Sequence, residues 1–429
     1  MLLAGIASGL PATSLAFVRA PVGHGPAGAV TTAASTSRSP GSPSHSSPAS
    51  LSQGSPASPS RPSSGSSSHS PSGISGGLST SATTSAGSKS GRPSSGASGT
   101  PTASPAAAPV AFGFNDNAVA QGVATPAQDA LFAQEAGATV ERVTFDWRWA
   151  EPQPGVYNLS MYDSIYAALT ARGIRPLWVP LFAPSWALSP ATPCNQFTTD
   201  CRFPPRPSHF ADYASMAALL ARRYPKSAGI EVWNEPNLSY FWAPAPNAAA
   251  YESLLATTYQ AVKTAAPTMP VVLGGLSDTQ TTANANVPLV SFLRALYADG
   301  AAHYMDALSV HPYPGPGAVL SMVNTAMAQV RSVRAEAKDT NRPIWVTEVG
   351  VTRDGALLTN AQQASDLSWI YTTLSAQSDV KLIEFHTLIE PPTSNVSEQD
   401  YGLISDAFGL SDAFCTIATL RNSGFQCHQ

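Results

Sequence analysis

The stretch Ile230-Glu231-Val232-Trp233-Asn234-Glu235-Pro236-Asn237 decides how this chain folds. It starts as an apolar, β-branched run and ends in polar residues followed by proline. Proline cannot donate to a strand ladder and restricts the residue before it, so a strand over Gly229–Asn234 stops there. Working outward, similar short runs stand at Val110–Asn115, Thr139–Trp147 and Arg175–Phe182 upstream. Downstream they stand at Pro270–Leu276, Asp306–His311, Pro343–Glu348 and Lys381–Thr387. Between them the apolar spacing turns helical, over Pro126–Ala136, Met161–Arg172, Phe210–Tyr224, Ala248–Ala266, Val287–Ala298, Leu320–Ala337 and Gln362–Ser375. Strands apolar on both faces and alternating with helices describe a parallel sheet covered by helices. Eight such units close into a (β/α)8 TIM barrel; five or six would leave an open doubly wound sheet. That alternative lacks the Gly-x-Gly-x-x-Gly turn after its first strand. The expected class is therefore α/β, a (β/α)8 barrel whose chemistry sits on the loops after the strand C-termini.

Composition separates the barrel from what precedes it. Residues 1–110 contain 31 Ser and 14 Pro, one aromatic residue (Phe17) and no Asp or Glu. Such a Ser/Pro/Gly-rich tract cannot bury enough apolar surface to offset backbone entropy, so disorder is expected there. Residues 111–429 hold all eight Trp and all thirteen Tyr, enough for one large core. The first segment carries five basic groups, which leaves the second with 18 basic against 27 acidic residues. An acidic domain with scattered Lys and Arg has no basic footprint for nucleic acid. No apolar run approaches the length of a membrane span.

The four cysteines form two local pairs, Cys194 with Cys201 and Cys415 with Cys427. Short, even spacing fits two loop-closing disulfides and an oxidising compartment. The apolar start Leu2–Leu10 and Val18-Arg19-Ala20 resemble a signal peptide that lacks its basic beginning. Secretion or cell-envelope association, with the Ser/Pro/Gly tract as a spacer, is the expectation. Histidines 209, 303, 311 and 386 show no metal-ligand spacing, and no Gly-x-Ser-x-Gly elbow occurs in the folded part, so neither a metal, a cofactor nor a serine nucleophile is expected.

Two acidic residues end strands in aromatic surroundings. Glu235 closes the fourth strand, and Glu348, in Ile344-Trp345-Val346-Thr347-Glu348-Val349-Gly350, closes the seventh. A carboxyl pair is what glycosidic bond cleavage needs: one held protonated for the departing oxygen, the other ionised to attack the anomeric carbon or activate water. Mutual repulsion at close range separates their pKa values.

These motifs resemble the large clan of retaining (β/α)8 glycoside hydrolases that includes family 5 cellulases and family 39 β-xylosidases and iduronidases. The likeness runs from about Phe112 to Ile404. It implies that Glu235 is the general acid/base and Glu348 the nucleophile. It further implies that Asn234 binds the sugar 2-hydroxyl, that Arg142 lies against the nucleophile, and that His311 and Tyr313 line the site. Trp149–Tyr157 resembles a turn in which Glu151 is structural. Trp186 and Trp242 offer flat faces for sugar rings. The clan's tryptophan at the end of the eighth strand is missing, and Phe385 or His386 is expected to fill its place. The resulting expectation is a monomeric glycosidase of β-linked oligo- or polysaccharides. Its rivals are a non-catalytic saccharide-binding or cell-wall-associated protein on the same barrel, and a transglycosidase.

Overall fold

The computed structural model describes residues 110–190, 202–315 and 317–427. The expected N-terminal disorder and the Cys194–Cys201 pair lie outside the described residues. Within them, eight parallel strands run in chain order: β1 (Ala111–Asn115), β2 (Val140–Asp146), β3 (Arg175–Leu181), β4 (Gly229–Val232), β5 (Val271–Leu273), β6 (Leu308–His311), β7 (Ile344–Val349) and β8 (Val380–Phe385). After β5 the chain breaks at Gly274-Gly275 and continues as the two-residue strand Leu276–Ser277. The two pieces close the ring: β5 pairs with β4, and Leu276–Ser277 pairs with β6, while β1 pairs with β8. Leu273 N–H donates to Ala307 C=O across the same seam.

Helices follow the strands: α1 (Pro126–Glu135), α2 (Trp147–Ala150), α3 (Ser160–Ala171), α4 (Phe210–Arg223), α5 (Ala248–Ala265), α6 (Leu289–Ala298), α7 (Ser321–Glu336), α8 (Asn360–Ser375), α9 (Val396–Gln399) and α10 (Asp412–Arg421). Local chemistry starts several of them. Thr125 and Gln128 form a capping box before α1, with Pro126 in its first turn, and Thr359 and Gln362 repeat the box at α8. Helix α10, which follows β8 and packs against α8, has no counterpart in the expected helices. The Cys415–Cys427 disulfide ties it to the tail.

Inside the strands, Val140, Leu177, Ala228, Val272, Ala307 and Leu382 form a separate apolar cluster. One residue from each of six strands, or from just before them, can meet only in the barrel interior, where they fill its floor. Above that floor the interior becomes polar. The large remaining core lies between sheet and helices.

Candidate active site

Two backbone irregularities aim the site. Strand β4 ends at Val232, two residues before the expected end, because Trp233 and Glu235 take positive φ values of 69° and 38°. In a regular strand Asn234 and Glu235 would face opposite sides. The left-handed turns bring both into the barrel mouth. Phe241 C=O accepts from Trp233 Nε1 at 2.7 Å and Gly275 C=O accepts from Glu235 N–H at 3.0 Å, which holds the turn. In β7 the register against β8 shifts between Val346 and Val349. That irregularity lets consecutive residues Thr347 and Glu348 both reach interior partners.

Arg142, buried inside β2, organises these groups. Its Nε donates to Glu231 Oε2 at 2.7 Å, its Nη2 to Asn234 Oδ1 at 2.7 Å and its Nη1 to Asn115 Oδ1 at 2.9 Å. Nη1 also donates to Glu348 Oε1. Burial opposes the guanidinium charge, but Glu231 and Glu348 more than offset it and raise its pKa.

The two glutamates meet at one nitrogen. His311 Nδ1 lies 3.1 Å from Glu235 Oε1 and 3.7 Å from Glu348 Oε2. Those two oxygens can be no further apart than the sum of these distances, 6.8 Å. The ring fits because Gly275 has no side chain; a Cβ there would overlap it. Burial raises the Glu235 pKa, aided by the Glu348 charge and opposed by His311. Burial acts on Glu348 in the same sense but is outweighed by His311, Arg142, His386 and the Tyr313 hydroxyl, so its pKa falls to about 2. Tyr313 donates to Glu348 Oε2 at 3.1 Å. One carboxyl is thus biased toward the acid form and its neighbour toward the anion.

His386 stands at the end of β8, beside the site. Asn115 Oδ1 is taken by Arg142, so its Nδ2 donates to His386 Nδ1 at 3.1 Å, while His386 Nε2 lies 3.3 Å from Glu398 Oε2. Its ring packs 5.2 Å from Tyr401 and 6.4 Å from Tyr313. Of the two expected fillers, Phe385 is fully buried, with its ring edge-on to Phe112 in the core, and His386 is the one that reaches these site residues. Asn115, Glu231, Thr347, Asp278, Glu398 and Tyr401 escaped the sequence reading. A charge inside an apolar strand was a visible signal for Glu231; Thr347 is an ordinary strand residue and Tyr401 a loop residue, with no local signal.

Of the two expected tryptophan platforms, Trp242 needs correction. Trp242 is only 3% exposed and packs edge-on to Trp233 and Tyr251, so it belongs to the core. Trp186 is part-buried, edge-on to Trp147, with its Nε1 donating to Glu151 C=O at 3.0 Å. The Trp242 indole is spent on packing, whereas Trp186 keeps part of its surface exposed. Glu151 is indeed structural, bound by Trp147 Nε1 and Gly155 N–H. Among the described residues no set of three or more His, Cys, Asp or Glu side chains is arranged to hold a metal ion, and no helix is long and apolar enough to cross a membrane.

Comparison with known proteins agrees with this barrel. Solved structures with similar folds include a family 39 glycoside hydrolase from the gut symbiont Bacteroides cellulosilyticus WH2, at 20% identity over 73% of this chain, with a TM-score of 0.57. The match spans 64% of that protein. A monomeric beta-xylosidase from Caulobacter crescentus CB15 is 20% identical over 74% of this chain and 69% of its own, with a TM-score of 0.56. GH5_18 from Streptomyces cattleya, solved in complex with GlcNAc, is 18% identical over 73% and 80%, with a TM-score of 0.55. At these identities the likeness is one of fold. No curated protein sequence matches the chain. The family model described as glycosyl hydrolase catalytic core matches residues 209–414, from the residue before α4 into α10. Those residues, which carry β4 to β8 and both mouth glutamates, match the glycosyl hydrolase catalytic core, and family 39 and family 5 glycoside hydrolases are among the chain's structural neighbours.

Proposed function

We propose that the chain is a retaining glycoside hydrolase of β-linked oligo- or polysaccharides, with Glu348 as nucleophile and Glu235 as general acid/base. The observation that carries this reading is the shared His311 nitrogen, which brings two carboxyls with oppositely shifted pKa values within 6.8 Å. That ceiling admits the separation of about 5–5.5 Å found in retaining enzymes and excludes most, though not all, of the roughly 6.5–9.5 Å range of inverting ones. In the first step the acid form of Glu235 protonates the departing oxygen while Glu348 attacks the anomeric carbon. Arg142 and Tyr313 keep the Glu348 oxygens aimed and anionic until the bond forms. Glu235, now a carboxylate, takes a proton from water, which releases the sugar with its configuration kept.

Asn234, held by Arg142, is positioned to bind the sugar hydroxyl next to the anomeric carbon. The Cys415–Cys427 disulfide supports placement outside the reducing cytoplasm, secreted or at the cell envelope.

The test is a panel of activated 2-deoxy-2-fluoro β-glycosides. The expected result is a stoichiometric burst of leaving group and a sugar adduct on Glu348, located by peptide mass spectrometry. Product of inverted configuration, or an adduct on another residue, overturns the assignment. No adduct and no hydrolysis across the panel would leave a saccharide-binding barrel instead.

A further inference from the structure

We infer that Thr347 is a positioning residue for the acid step: its hydroxyl oxygen holds the proton of neutral His311 on Nε2, so that Nδ1 meets Glu235 only as an acceptor and the one movable proton between them stays available to the leaving group. This rests on the reading of Glu235 as the general acid.

The chain of contacts starts at Glu231. Its Oε2 accepts from Arg142 Nε, and its Oε1 accepts from Gly275 N–H at 2.7 Å and from Thr347 Oγ1 at 3.0 Å. A carboxylate pinned by an arginine has no proton to give, so the single hydroxyl proton of Thr347 points to it. The Thr347 oxygen is left with lone pairs only. One faces the Ser309 hydroxyl and the other His311 Nε2 at 3.0 Å, which must therefore carry a hydrogen. A doubly protonated His311 lowers the pKa of both glutamates; once the ring is neutral, with its one hydrogen on Nε2, a bare Nδ1 faces Glu235 Oε1 at 3.1 Å. Bare nitrogen facing carboxylate is repulsive, so Glu235 gives up its proton reluctantly unless a substrate oxygen receives it. Were the ring free to place its own proton on Nδ1, it would donate to Glu235 and stabilise the spent carboxylate.

The other groups facing this pair do not remove the constraint. On the β5 side stands Asp278, whose carboxyl burial and Glu235 push up to about 7. On β6 are Ser309 and, just beyond the strand, Tyr313, on β7 Glu348, and across the interior Arg142, which favours the anionic form of Glu235. Of these, Glu348 also tells the two tautomers apart, since its Oε2 lies 3.7 Å from Nδ1 and favours a hydrogen there; the 3.0 Å contact of Thr347 with Nε2 opposes it.

The test compares wild type, Thr347→Val and Thr347→Ser. The readout is kcat/KM against pH on an unactivated phenyl β-glycoside, whose poor leaving group needs the proton. In Thr347→Val the basic limb should move down by about one pH unit, and Thr347→Ser should restore it. Two-bond 1H–15N spectra of 15N-histidine protein give a second readout without substrate. Above the basic limb, His311, assigned through His311→Asn, should show Nε2 protonated in wild type and Nδ1 protonated in Thr347→Val. A Thr347→Val limb that superimposes on wild type, or a wild-type ring protonated on Nδ1, overturns the inference. Should Glu235→Gln keep turnover, the acid assignment falls instead, and the spectra still judge the tautomer.

Discussion

Two clusters of buried carboxyls sit beside β2 and have opposite fates. In the barrel mouth, Glu231 and Glu348 surround Arg142, and Glu348 is held anionic. On the other side of β2, Asp116, Asp129 and Glu141 crowd together beneath α1 around a cavity of ≈ 10 Å³. No N–H or hydroxyl among the described residues reaches Asp116 Oδ2, Asp129 Oδ1 or Glu141 Oε2. Burial pushes all three pKa values up, that of Glu141 to about 8, and Asp129 shares hydrogen bonds with both neighbours. Those contacts require protons on the carboxyls themselves. Burial is comparable in the two places, so burial does not decide ionisation; a cation within hydrogen-bond reach does.

Removing that cation should have the largest effect. Arg142→Met leaves Glu231 and Glu348 buried without a counter-charge, so stability should fall by about 3–5 kcal/mol in denaturant titrations and glycosidase activity should vanish with it. A variant that unfolds at the wild-type midpoint would break the comparison at its root. Next in size, Glu348→Ala should lower kcat at least about a thousandfold, with a melting temperature near wild type because Arg142 keeps Glu231. Gly275→Ala comes third. Its methyl overlaps the His311 ring, and displacing that ring should cost about ten- to a hundredfold in kcat/KM with a lowered melting temperature.

The smallest effect sharpens the second cluster. A carboxyl whose folded pKa lies above its unfolded one stabilises fully below the unfolded value, and that contribution is lost as pH rises toward the folded value. For Glu141 the window runs from 4.5 to about 8. Glu141→Gln should therefore flatten the decline of stability between pH 5 and pH 8, gaining about 1 kcal/mol at the upper end in urea melts. A variant curve parallel to wild type would mean that Glu141 already shares its charge with a partner.

Much of the architecture was legible because strand and helix periods are local. Arg175–Leu181 and Leu308–His311 lie within the expected runs, and α4 matches to one residue. Helix α10 escaped because Asp412–Arg421 has few strongly apolar residues, and its buried Ala413, Phe414, Ile417 and Ala418 are paid off only against the neighbouring α8. In the site, Glu235 and Glu348 stood out as acidic residues at strand ends, whereas Asn234, Arg142, His311 and Tyr313 came with the family resemblance; the six converge in one place. Trp186 and Trp242 stood out equally, yet Trp242 is buried in the core while Trp186 stays part-exposed.

The sequence by itself determined the strand–helix alternation, the polar residue types at the strand ends and the separation of an acidic folded part from a Ser/Pro-rich lead. These depend on composition and on periods of two and 3.6 residues, which act over a few neighbours. Only the tertiary structure decided which carboxyls are charged, which indoles are buried and which nitrogen of His311 faces Glu235. Those properties belong to contacts between residues such as Arg142 and Glu348, 206 positions apart, where a cation within reach outweighs the common cost of burial.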